Sequence, residues 1–92
     1  MNSLKKLLTA LIQSAEMLGL PEQDLNYSND FLQNHEYRLS LDQITTQLYE
    51  HDIEVTDDFY LLVSRIAHKM ELAELDYTFV KDLIRNKEVK LN

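Results

Sequence analysis

Three histidines, His35, His51 and His68, are the first residues to weigh as metal ligands or proton carriers. They lie roughly sixteen residues apart, and the chain has no HExxH motif. Zinc sites legible in a sequence place ligands in pairs at short fixed spacings. His35 adjoins Glu36 and His51 adjoins Asp52, and neighbours in sequence point apart on a helix. The spacing predicts surface histidines near element ends rather than a metal centre.

Carboxylates are plentiful, sixteen in all, so some pair always lies close enough to act as acid and base. That chemistry also needs a cleft and a raised pKa in one partner, and a small helical domain rarely encloses a cleft. Serines and threonines become nucleophiles only beside an organised base, and no such arrangement is visible. The chain has no cysteine, which removes a thiol nucleophile, a disulfide scaffold and a Cys-based zinc site together. It also fits a reducing cytoplasm. A single glycine excludes a glycine-rich phosphate loop. The expectation is a protein that is not an enzyme and carries no cofactor.

Charge says more. The formal net charge is −7, which disfavours nucleic acid and anionic membrane surfaces as partners. From Glu16 to Asp58 there are eleven acids and one base, Arg38, whereas from Tyr60 onward there are five acids and six bases. The densest run is Glu50, Asp52, Glu54, Asp57 and Asp58. Asp57 and Asp58 also suit the start of a helix, and the others suit ordinary solvent-facing positions. Yet lopsided charge costs stability by self-repulsion, and complementary charge speeds encounter with a basic protein. Tyr27, Tyr37 and Tyr49 lie in the same half; tyrosine serves equally as an interface anchor and as the rim of a small core. The expected partner-binding set is Tyr49, Glu50, Asp52, Glu54, Asp57 and Asp58.

The elements that must position these residues are helical. One glycine and one proline are too few for the turns of a β fold. Leu4, Leu7, Leu8, Leu11, Ile12, Ala15 and Leu18 recur at spacings of three and four. They predict a helix over Ser3–Leu18, with Ser3 as N-cap, Gly19 as left-handed C-cap and Pro21 barring its continuation. The two lysines ahead of this apolar run invite comparison with a secretory leader. None is expected, because Gln13, Ser14 and Glu16 interrupt the run and no small-residue cleavage site follows. The run is also too short and polar for a membrane span.

Pro21, with Glu22 and Asp24 behind it, could open a second helix. But "NYSND" favours turns, so the second helix is expected only over about 28–34. Leu39, Leu41, Ile44, Leu48 and Tyr49 mark a third over about 36–50, followed by the loop "HDIEVT", in which Ile53 and Val55 reach one face. Thr56 caps a fourth helix with the stripe Phe59, Leu62, Val63, Ile66, Ala67 and Met70. A fifth is expected over about 76–86 from Tyr77, Val80, Leu83 and Ile84, with "EVKLN" as a frayed tail. The fold class is all-α, a single domain over 1–92 of four to five short helices, with no internal repeat or linker.

The stretch "HEYRLSLDQITTQLYEHDIEVTDDFYLLVSRIAHKMEL", residues 35–72, resembles the MafI-like immunity proteins, including those of contact-dependent growth inhibition systems. The resemblance rests on Glu36, Leu39, Leu41, Leu48-Tyr49-Glu50, Asp52-Ile53, Val55, Phe59-Tyr60, Ile66-Ala67 and Met70-Glu71-Leu72. His35 and Ser40 stand where the pattern has glycine and alanine. It implies a small cytoplasmic bacterial protein that binds and neutralises a cognate polymorphic toxin, as in a toxin–antitoxin pair. The toxin would be a nuclease, above all an RNase, whose basic cleft an acidic surface covers in a one-to-one complex with a monomer.

A different class of function stays open. Tyr60 and Leu61 sit off the main stripe of the fourth helix, which leaves room for a second contact face. That would suit a helical adaptor or regulatory protein acting through homodimerisation.

Overall fold

In the computed structural model, which describes residues 2–85, the chain forms four α-helices. They are α1 (Ser3–Leu18), α2 (Glu22–Gln33), α3 (Tyr37–Glu50) and α4 (Asp57–Lys69). Two 3₁₀ turns, Glu74–Asp76 and Thr78–Leu83, follow, and the fold is all-α as expected. Helix α1 packs against α2, α3 and α4, while the second 3₁₀ turn closes over α3 and α4. The core draws on all four α-helices and the second 3₁₀ turn: Leu8 and Leu11 from α1, Leu25 and Leu32 from α2, Ile44 and Leu48 from α3, Val63 and Ile66 from α4, Val80 and Leu83 from the second turn.

Helix α1 has the expected bounds, but its cap is Asn2, one residue before Ser3; the Asn2 Oδ1 accepts a bond from the Lys5 amide at 2.7 Å. Asparagine and serine are about equal as caps, so sequence alone could not choose. Thr56 caps α4 as expected, accepting from the Phe59 amide at 3.0 Å.

Helix α2 is longer than the 28–34 expected. It starts at Glu22, directly after Pro21. Its buried face is Asp24, Leu25, Ser28 and Leu32, a complete helical stripe in which two positions are polar. "NYSND" therefore lies inside a helix. The reason is Ser28, which is fully buried against Ser40 of α3. Ser28 Oγ lies 2.9 Å from both the Ser40 carbonyl oxygen and the Ser40 hydroxyl, and Ser40 Oγ donates to the Ser28 carbonyl at 3.0 Å. Two small side chains let the helices approach closely, and each hydroxyl is satisfied across the crossing.

The expected fifth helix over 76–86 is instead the pair of 3₁₀ turns. Tyr77, Val80 and Leu83 are all buried, and their spacing of three places them in one row on a helix with three residues per turn. The tail "EVKLN" lies outside the described residues. Leu39, expected on the inner face of α3, is 46% exposed.

All four α-helices end in a residue with positive φ, the cap Gly19 itself in α1 and the residue after the cap in the other three. The next amide reaches back five residues: Leu20 to Ala15, Glu36 to Phe31, Ile53 to Leu48 and Leu72 to Ala67, at 2.8–3.1 Å. Only the first uses glycine, Gly19 at φ 105°. His35, Asp52 and Glu71 hold φ of 61°, 54° and 57°, a region that costs a residue with a Cβ about 1–2 kcal/mol. His35 thus occupies the conformation glycine takes most easily. Glu71→Gly is expected to stabilise the protein by about 0.5 kcal/mol, since relief of this cost exceeds the added entropy of the unfolded chain. The check is a higher urea midpoint at unchanged slope.

Candidate protein-binding surface

The acidic connection between α3 and α4 is held from both sides. Its first residues complete the α3 terminus, with Asp52 in the left-handed position and Ile53 half-buried behind it. Val55 is buried; its amide donates to the Leu83 carbonyl at 2.9 Å, and it forms a parallel bridge with Ile84. Ile53 and Val55 turn inward together, as their alternation predicts. The Asp52 carboxylate accepts a hydrogen bond from the Arg85 guanidinium. Tyr49 meets Phe79 edge-on with ring centroids 5.4 Å apart. The 3₁₀ segment therefore sets the shape of this connection from the far end of the chain.

The six residues expected to bind a partner fall into three groups. Glu50 and Glu54 flank the clamp, are exposed and form no ion pair among the described residues. Tyr49 and Asp52 keep substantial exposure, with Tyr49 47% exposed, but Tyr49 is fixed by Phe79 of the second 3₁₀ turn and Asp52 by Arg85 just after it. Asp57 and Asp58 stand in the first turn of α4, where carboxylates complement the helix dipole. Asp57 is engaged within the chain. Asp58 borders a groove between α1 and α4, beside Met17, Phe59 and Leu62. Sequence reasoning missed Phe79 and Arg85 as the residues that hold the edge. Arg85 had one signal, the acid–base contrast between the two halves of the chain; Phe79 had none.

The remaining acids are divided between paired and open sites. Arg38 lies 3.2 Å from Asp42 and 3.6 Å from Asp76. Asp24, nearly buried, accepts from Gln43 at 3.3 Å and sits 3.2 Å from His51 Nε2. Glu16 and Glu22 border a second groove between α1 and α2, floored by Ile12, Leu20 and Leu25. The histidines are exposed. His35 and His68 contact the hydroxyls of Tyr37 and Tyr77, each at 3.2 Å. Among the described residues, no group of three or more His, Asp or Glu side chains could hold a metal ion. No described helix is long and apolar enough to cross a membrane.

Tyr60 turns inward. It stacks near Tyr77 with centroids 6.3 Å apart, and Lys81 Nζ lies 5.7 Å from its ring centre. Burial, then the neighbouring Tyr77 and Glu74, push its hydroxyl above the usual value of 10.0. With the folded pKa above the unfolded one, this group's contribution is fully present below about pH 10 and is lost as pH rises through the folded pKa. Tyr60→Phe is expected to flatten the alkaline decline in stability, measured by urea midpoints on either side of pH 10.

No family model, curated protein or solved structure matches the chain.

Proposed function

We propose that the protein binds and neutralises a basic partner, most specifically a nuclease domain of a bacterial polymorphic or contact-dependent toxin, in the cytoplasm. The observation that carries this reading is the α3–α4 connection. Glu50 and Glu54 project from it without an ion pair among the described residues, beside a half-exposed Tyr49, on a backbone already fixed by Val55 and Arg85. A preordered acidic edge loses little entropy on docking and attracts a cationic surface at long range. A nuclease cleft offers such a surface, because it is built to neutralise phosphates. The sequence resemblance of residues 35–72 to MafI-like immunity proteins points the same way. No catalytic step belongs to this chain in that role; inhibition is stoichiometric.

The test is to mix the protein with the C-terminal domain of the toxin encoded beside its gene. A stable complex and loss of nuclease activity are expected. Glu50→Gln with Glu54→Gln should slow association about tenfold at low salt and little at high salt. Full inhibition with an unchanged, salt-independent association rate would assign the contact to another surface. Failure to bind would remove the reading altogether.

A further inference from the structure

The outer face of α4 carries a pattern that reads the same from both ends. Asp58, Leu61, Leu62 and Arg65 border one continuous depression. Their spacings are three, one and three, so all four lie on one side of the helix. Leu61 is 63% exposed and Leu62 half-buried. Neither Asp58 nor Arg65 forms an ion pair among the described residues, and seven residues of helix, about 10 Å, keep them from pairing with each other.

We infer that this face binds a second copy of the chain, α4 against α4 in antiparallel orientation about a two-fold axis between Leu61 and Leu62. An isologous contact requires a self-complementary patch. Here the two-fold sets Asp58 of each copy opposite Arg65 of the other, and Leu61 opposite Leu62. Next to Leu62 is the groove between α1 and α4, about 230 Å³, bordered by Met17 and Phe59. It offers an apolar seat for the incoming Leu61. Met17, 88% exposed at the rim, can fold over that side chain, since methionine adapts to irregular gaps. Other occupants fit less well. A basic partner would meet Arg65 and Lys69, and a polyanion would meet Asp58 on a chain of net charge −7. A second copy satisfies both signs at once. Tyr60, turned inward against Tyr77, takes no part, which corrects the sequence expectation that it shares a second face with Leu61. The face leaves out Glu50 and Glu54, so self-association and partner capture are separable, and a dimer presents two acidic edges.

Sedimentation velocity from micromolar to millimolar protein, without any toxin, tests this. The wild type is expected to shift from monomer to dimer. Asp58→Arg and Arg65→Asp should each weaken the dimer about tenfold or more, because two symmetry-related attractions become repulsions. Mixing these two variants should form a heterodimer, and the double variant D58R/R65D should restore the homodimer. All substitutions are exposed, and circular dichroism checks that each variant folds. A wild type that stays monomeric over the whole range overturns the inference. So does a dimer whose single variants weaken but are not rescued by mixing.

Discussion

Ser28→Leu is expected to destabilise the protein by about 3–4 kcal/mol, on the order of half the stability of a domain this size. Ser28 and Ser40 are both fully buried, and each hydroxyl is satisfied by the opposite helix. A leucine removes those bonds and forces α2 and α3 apart where the two hydroxyls bridge them. Ser28→Ala keeps the volume and should cost only about 1 kcal/mol. Adding Ser40→Ala to it should cost less than the sum of the single changes, because the second hydroxyl has already lost one partner. Urea unfolding of the four proteins measures the coupling. Strict additivity would show that the two hydroxyls act independently. A leucine variant as stable as wild type would show that the crossing has slack.

Leu83→Ala is expected to cost about 2–4 kcal/mol, the range for emptying a buried leucine site. Its distinctive effect lies elsewhere in sequence. The Val55 amide donates to the Leu83 carbonyl, so loosening the 3₁₀ segment should accelerate hydrogen exchange at Val55 before the core amides of α3 and α4 respond. Unchanged protection at Val55 would mean that the connection holds its own shape. Accelerated exchange accompanied by weaker partner binding would join this clamp to the proposed function.

Helices α1, α3 and α4 are legible from their apolar periodicity, α3 running Tyr37–Glu50 against the 36–50 expected. Helix α1 and helix α4, with its stripe from Phe59 to Met70, follow the expected bounds because each buried position is apolar. Helix α2 runs beyond the 28–34 expected because the turn preference of "NYSND" is overridden by packing: Asp24 and Ser28 occupy core positions whose meaning depends on Gln43 and Ser40 in α3 and on His51 at its end. No local pattern announces a polar contact across two helices. The α-helix expected over 76–86 is a pair of 3₁₀ turns for a related reason: Tyr77, Val80 and Leu83 fit both periods, and tertiary packing selects the tighter one. At the surface, the acidic run was visible but its division was not. That Arg85 takes Asp52, while Glu50 and Glu54 have no ion pair among the described residues, follows from the chain folding back over thirty residues later.

That return contact has a consequence for synthesis on the ribosome. The first four helices can assemble once α4 has emerged, but the α3–α4 connection still lacks Leu83 and Arg85. Its final contour exists only after residue 85 has cleared the exit tunnel. In the proposed function, a nascent chain displaying Glu50 and Glu54 on an unsecured loop would grip a target weakly, and firm capture would begin only when translation has passed the clasp.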